Sequence, residues 1–173
     1  TQSTWLRLPR DYVRHGSLSA KDSVELMVQR LREYDADVIE CTEDTLPAAI
    51  AAQLRQSGKR KIAAPSGLPS QWIAPGFDWV IDGDLATAEI EQAEGVVTTC
   101  SCGIADSGTI VLHHGAAEGR RVLSLLPDWH LCILRASQIV ETLPEYFSRC
   151  EQPPAIVTWI SGPSATADIE MTR

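Results

Sequence analysis

A chain of 173 residues with 44% hydrophobic and 22% charged residues has the composition of an ordinary folded domain, which argues against global disorder. Its 15 basic and 23 acidic side chains give a formal charge of −8, which disfavours a broad electrostatic contact with nucleic acid or an anionic membrane. No apolar run approaches the roughly 20 residues that span a bilayer and the amino terminus lacks a secretory signal pattern, so we expect a cytoplasmic protein.

The predicted elements begin after an irregular amino-terminal arm, residues 1–18, and residues 19–173 are expected to form a single domain. The pattern Ser19-x-x-Asp22 predicts the start of an amphipathic helix whose apolar residues recur at helical spacing as far as Tyr34. Gly58 predicts the end of a second helix. The further predictions are strands at 37–41, 61–65, 78–82, 95–99, 109–112, 130–134 and 155–160, a short helical turn between the second and third of these, and helices at about 46–56, 137–149 and from 164 onward.

This alternation of apolar strands and helices predicts an α/β fold of the Rossmann-like class. Its sheet should be mostly parallel and carry helices on both faces, because crossover connections place helices on each side. The runs at 95–99 and 109–112 predict two neighbouring strands. No internal repeat and no Gly/Ser-rich linker divides the chain.

The five cysteines are odd in number and lack the Cys-x-x-Cys spacing of zinc and redox sites, so neither a disulfide framework nor a metal site is predicted. Cys41 and Cys132 lie in apolar runs and are expected to be small buried hydrophobes. Adjacent strand residues face opposite sides of a sheet, so His113 and His114 are not expected to chelate one metal.

The first candidate ligand site is the loop that follows the last predicted strand and precedes the final helix. In open α/β sheets, ligands gather at the carboxyl ends of the strands, and a glycine-containing turn before a helix offers backbone N–H groups to an anion. The alternative is that Ser164 or Thr166 only caps the helix. The residues predicted to bind the ligand are Ser161, Gly162, Pro163, Ser164 and Thr166.

The second candidate segment is the small-residue stretch 106–109 between two predicted strands, which we expect to close the pocket of the first loop. Asp106 supplies a carboxylate, Ser107 and Thr109 supply hydroxyls, and Gly108 supplies a flexible backbone. Asp-Ser-Gly-Thr is also favourable turn chemistry, so a simple hairpin turn is the alternative.

Three side chains are candidates for acid/base catalysis: Asp106, His130 and Asp168. His130 precedes an apolar strand and a histidine can titrate near neutral pH, although a structural histidine is the favoured alternative. Asp168 could equally be a first-turn acid that stabilises the helix dipole. No common catalytic or nucleotide-binding motif occurs, so whether the chain is an enzyme stays open.

Three motifs in the second half of the chain resemble those of the LUD-domain family. Residues 104–112 read Ile-Ala-Asp-Ser-Gly-Thr-Ile-Val-Leu, in which Ser107 stands where the family has Thr. Residues 125–130 are similar to its Leu-Pro-x-x-His stretch, and residues 160–170 resemble its Ser-Gly-Pro-Ser-x-Thr-Ala-Asp-Ile-Glu hallmark. The match covers about residues 94–173, while the first half agrees only in its β-α layout.

The resemblance implies a fold like the NagB/RpiA/CoA-transferase group and a role in growth on L-lactate. It also implies iron–sulfur companion proteins that act with this chain in the oxidation of lactate to pyruvate. We expect the chain to bind a small anionic ligand and to hold no cofactor, because it has neither a dinucleotide motif nor a cysteine set suited to an iron–sulfur cluster. The alternatives are a stand-alone enzyme acting on a small phosphorylated or CoA-linked substrate, which fold analogy alone supports, and a metabolite-sensing interaction domain.

Overall fold

The computed structural model describes residues 13–150, 152 and 154–162. Its helices are α1 (Ala20–Glu33), α2 (Leu46–Ser57), α3 (Thr87–Ile90), α4 (Arg121–Leu125) and α5 (Leu143–Arg149). Its strands are β1 (Lys61–Pro65), β2 (Asp78–Asp82), β3 (Gly95–Thr99), β4 (Cys102–Ile104), β5 (Thr109–Leu112), β6 (His130–Ile133), β7 (Ile139–Val140) and β8 (Thr158–Ile160), with 3-10 turns at Ser70–Trp72 and Ala136–Gln138.

The first two helices begin and end where their local signals predict. The Ser19 side chain accepts a hydrogen bond from the Asp22 N–H and so caps α1. Gly58 ends α2 with φ 71°, a left-handed conformation that costs glycine little. Both helix predictions are confirmed. Of the predicted arm, residues 13–18 carry no regular secondary structure, and residues 1–12 lie outside the described residues.

Sheet 1 is fully parallel and has the strand order β2-β1-β3-β6. Alternate residues of its central strands face opposite sides. Ile62 packs with Leu54 of α2 on one side, while Ala63 packs with Leu123 of α4 on the other. The predicted α/β class, with a mostly parallel sheet between helices, is confirmed.

Sheet 2 has the order β7-β4-β5-β8 and is mixed. β4 and β5 form an antiparallel hairpin, β7 is parallel to β4, and β8 is antiparallel to β5. Its core includes Ile104, Val111 and Tyr146 of α5, and α1 packs near β7. No helix in the described ranges is both long and apolar enough to cross a membrane.

The strand predicted at 37–41 is wrong. These residues are not paired with any described strand, Ile39 is 49% exposed, and Cys41 is exposed rather than buried. A run of β-branched residues indicates a fit to a pleated surface, but it does not supply a neighbouring strand.

The predicted layout of the second half also needs correction. β3 and β5 are not neighbours, because they lie in different sheets and the three-residue β4 falls between them in the chain. The helix predicted at 137–149 starts only at Leu143, after β7. Strands of two or three residues are too short to show a period in the sequence.

The last strand is likewise shorter and less buried than predicted. β8 begins at Thr158 rather than at residue 155, and as the outer strand of sheet 2 it leaves Trp159 and Ile160 partly exposed. It runs antiparallel to its neighbour, whereas a parallel strand was expected. The helix predicted from residue 164 onward lies outside the described residues.

Candidate functional site

The two predicted ligand segments meet in the folded chain. The Thr109 hydroxyl donates to Ser161 Oγ at 2.8 Å, and Ser107 Oγ lies 2.7 Å from Thr109 Oγ1. We name Ser107, Thr109 and Ser161 the hydroxyl cluster. Antiparallel pairing of β5 with β8 brings these segments together, because Ile110 faces Ile160 in the ladder.

The hydrogen bonds of the hydroxyl cluster have one consistent direction. Each hydroxyl carries a single proton. Because Thr109 donates to Ser161, Ser107 must donate to Thr109, and the proton of Ser161 has no acceptor in the described part of the chain. Thr109 is buried and Ser161 is exposed, so the last donor lies at the surface.

Helix α1 holds the turn that carries Ser107. Arg30 Nε donates to the Asp106 carbonyl at 3.1 Å, and the Tyr34 hydroxyl donates to the Ser107 carbonyl at 3.0 Å. Gly108 has φ 61°, and a Cβ there would lie 2.7 Å from the Arg30 Cβ. The local structure is therefore a hairpin turn between β4 and β5, as the structural alternative expected, while ligand binding by this turn stays a prediction.

The remaining predicted residues are only partly described. Gly162 follows the hydroxyl cluster with φ 70°, and no atom of the described residues lies within 4 Å of an added Cβ there. Pro163, Ser164, Thr166 and Asp168 lie outside the described residues, so their predicted roles stay predictions. Asp106 is exposed within the turn between β4 and β5.

His130 lies far from the carboxyl edge of sheet 1, because it is the first residue of β6. Its Nε2 atom is 2.7 Å from Thr98 Oγ1, and burial lowers the pKa of its imidazole to about 4. The ring is therefore neutral at neutral pH. This arrangement is the one expected of a structural histidine, and an acid/base role for His130 stays a prediction.

Two buried thiols lie between the sheets along the chain: Cys100 follows β3 of sheet 1, and Cys102 begins β4 of sheet 2. A hydrogen bond from Cys132 and burial raise the pKa of Cys100, and burial raises the pKa of Cys102 to about 11. Both therefore stay protonated and poorly nucleophilic. In the described ranges, no group of three or more His, Cys, Asp or Glu side chains could hold a metal ion.

Sequence reasoning missed a cleft of about 290 Å³ where β1 and β2 end, at the carboxyl edge of sheet 1. We name it the edge cleft. Its lining residues are Pro65, Ser66, Asp82, Gly83, Asp84, His114, Gly115, Ala116, Gly119 and Arg120. The signals available in the sequence were the Asp-Gly-Asp that ends β2 and the glycine-rich stretch at 115–120.

An ion pair joins the two sides of the edge cleft. Asp82 accepts hydrogen bonds from Arg120 Nε at 2.9 Å and from Arg120 Nη2 at 2.7 Å, and Nη2 also donates to the Leu85 carbonyl. The Arg120 guanidinium, followed by the backbone N–H groups of Asp84 and Leu85, holds the pKa of Asp82 below its usual value. Asp82 is therefore a charged, buried anchor for Arg120.

The segment that carries His114 is fixed by the buried Glu118. Its carboxylate accepts hydrogen bonds from the Ser101 hydroxyl and from the backbone N–H groups of His113 and His114. His114 Nδ1 lies 3.1 Å from the Gly119 carbonyl oxygen, and His114 Nε2 lies 2.8 Å from Thr158 Oγ1. These bonds tie the edge cleft to β8.

Comparison with known protein families shows that residues 17–173 match the LUD domain. The chain belongs to the LUD-domain family. Lactate utilization protein C of Deinococcus radiodurans is 38% identical over 160 residues, which cover 90% of this chain and 74% of that protein. The lactate utilization protein C of Bacillus subtilis is 28% identical over 189 residues, which cover 96% of this chain and 78% of that protein.

A solved structure shows the same LUD-domain architecture. A DUF162 family protein from Deinococcus radiodurans superposes with a TM-score of 0.75 at 37% identity, covering 84% of this chain and 90% of that one. The motif-based resemblance to the LUD family and the α/β fold are both confirmed. The closer likeness to the NagB/RpiA/CoA-transferase group stays a prediction.

Proposed function

We propose that this LUD-domain chain is an accessory subunit of a cytoplasmic iron–sulfur system that oxidises L-lactate to pyruvate. The observation that carries the proposal is the 38% identity to a lactate utilization protein C over 90% of this chain. Several further relatives with that name match most of the chain, which supports a role in lactate utilization.

We assign the redox centres to iron–sulfur companion proteins. The chain carries no dinucleotide-binding motif that would hold a hydride acceptor. Cys100 and Cys102 are buried, and in the described ranges no group of three or more His, Cys, Asp or Glu side chains is placed to hold a metal ion. The role left to this chain is to bind and position rather than to transfer electrons.

We further propose that the hydroxyl cluster, together with the loop residues Ser164 and Thr166, binds a small anion. The support is the unused proton of Ser161 at the exposed end of the cluster, since hydroxyl and backbone donors are the groups that hold a carboxylate or phosphate. The anion of a lactate system would be a short carboxylate, such as lactate or pyruvate.

Deletion of the chromosomal copy tests the role in lactate utilization. We expect the deletion strain to lose growth on L-lactate as sole carbon source and to keep growth on glucose. Growth on lactate that equals the parent strain would contradict the proposal. Affinity purification of the intact chain is expected to bring down iron–sulfur proteins, whereas turnover of a substrate by the isolated chain would favour a stand-alone enzyme instead.

The anion site is tested separately by replacing Ser161 with Ala. We expect pyruvate binding, measured by titration calorimetry, to weaken about tenfold, because one hydrogen bond to a charged group is lost. Ser124→Ala is the matched control, since Ser124 lies in α4 and its hydroxyl bonds, among the described residues, only to the Arg121 carbonyl of the same helix. Replacing Ser164 and Thr166 by Ala should also weaken binding, whereas a pure capping role predicts about 1 kcal/mol of lost stability each and unchanged binding.

A further inference from the structure

We propose that the edge cleft is a second binding site, and that it takes a small monocarboxylate that carries a neighbouring hydroxyl group. The inference goes beyond the proposed function, because the edge cleft and the hydroxyl cluster lie at opposite ends of β5. Thr109 begins that strand and His114 follows its end. The four residues of β5, which lie between the two sites, span about 14 Å.

The position of the edge cleft is that of a ligand site in an open α/β sheet. Ser66 follows β1 directly, and Gly83 and Asp84 follow β2, so the cleft lies at the carboxyl ends of two adjacent parallel strands. Ligands of such sheets gather at this edge. A volume of about 290 Å³ suits a metabolite of few atoms rather than a nucleotide.

Arg120 supplies the cation for a carboxylate. Its Nε and Nη2 atoms are engaged with Asp82 and the Leu85 carbonyl. Its Nη1 atom donates to no acceptor in the described part of the chain, and its side chain is 46% exposed. The ion pair with the buried Asp82 therefore orients a guanidinium whose third nitrogen still offers two N–H groups, and guanidinium groups bind carboxylates with well-defined geometry.

Asp84 favours a ligand that carries a hydroxyl group beside its carboxylate. Its carboxylate is exposed in the same cleft, and Asp82 already balances the single charge of Arg120. The carboxylate of Asp84 repels a dianion such as phosphate more strongly than it repels a monocarboxylate, because the repulsion between like charges grows with the charge of the ligand. A hydroxyl group, in contrast, can donate to Asp84. The pair Arg120 and Asp84 thus matches a carboxylate beside a hydroxyl.

The backbone of the edge cleft adds strained conformations and N–H groups that a ligand could contact. Asp84 has φ 115° and His114 has φ 58°. Residues other than glycine rarely adopt these backbone conformations, which persist where the surrounding structure enforces them. The N–H groups of Gly115 and Ala116 donate to no acceptor among the described residues. They add neutral donors for a carboxylate oxygen.

A pair of ligands that differ by one hydroxyl tests the inference on the full chain. We expect L-lactate to bind about tenfold more tightly than propionate in NMR or calorimetric titrations, and inorganic phosphate to bind more weakly than either. The Asp84→Asn variant should lose the preference for lactate over propionate. Asp78→Asn is the matched control, because Asp78 is also exposed on β2 but lies at the amino end of the strand. It should keep the preference.

Arg120→Lys is the second variant, since it retains the charge opposite Asp82 while removing the forked geometry. We expect this variant to bind both lactate and propionate more weakly. A melting curve recorded alongside shows whether the variant is folded. Equal affinity for lactate and propionate, or tighter binding of phosphate, would overturn the inference. So would a lactate preference that Ser161→Ala abolishes and Asp84→Asn does not. Normal growth of the deletion strain on lactate would instead overturn only the proposed function.

Discussion

Gly108 is the residue at which the hairpin turn and helix α1 constrain each other. Its φ of 61° is costly for any other residue, and an added Cβ would lie 2.7 Å from the Arg30 Cβ. We expect Gly108→Ala to lower the free energy of unfolding by about 2–4 kcal/mol, because left-handed strain and overpacking add. Urea denaturation measures the change.

A second glycine separates the two causes. Gly58 has φ 71°, and no atom of the described residues lies within 4 Å of an added Cβ, so Gly58→Ala incurs the strain without the clash. Its cost should be about 1 kcal/mol. Equal losses at the two positions would show that the contact with Arg30 contributes nothing.

At the scale of the element, the clearest local signal is the cap of α1. Ser19 Oγ accepts a hydrogen bond from the Asp22 N–H and also donates to the Asp22 carboxylate. We expect Ser19→Ala to destabilise the protein by about 1 kcal/mol, because an N–H at the helix start loses its acceptor. Thermal and urea unfolding would show the loss, and Ser17→Ala, at an exposed position before the cap, should leave stability unchanged.

The elements also show where local reasoning succeeds and where it stops. Gly58 ended α2 as predicted, because its left-handed conformation is a property of that residue and its own helix. The run 37–41 has equally good strand composition yet pairs with nothing described, since a strand needs a partner that its own residues do not specify. β4 and β7 escaped prediction because a pleat of two or three residues has no measurable period.

At the scale of the whole molecule, His130 couples stability to pH. Burial lowers the pKa of its imidazole to about 4, whereas an unfolded histidine has a pKa near 6.5. As the pH falls, the unfolded state binds the proton first, so the contribution is complete above about pH 6.5 and is lost between about 6.5 and 4. The difference corresponds to about 3 kcal/mol.

The pH dependence of unfolding checks this value. We expect the wild-type free energy of unfolding to fall through this window, and His130→Asn to remove that part of the slope while lowering stability at pH 7 through loss of the Thr98 contact. His15→Asn, at an exposed position, should keep the wild-type curve. An unchanged slope in His130→Asn would show that the buried ring does not govern the acid response.

The sequence by itself determined the α/β class, the two long helices with their caps, the LUD-domain membership and most strands of sheet 1, because caps, turns and apolar periods act within a few residues along the chain. Only the tertiary structure decided which strands pair: it gave the hydrogen bond by which Thr109 meets Ser161, 52 residues apart, as expected of a shared pocket, and the unexpected pairing of Asp82 with Arg120, 38 residues apart. Such contacts depend on how sheets and helices pack in three dimensions, and local residue patterns carry no record of that choice.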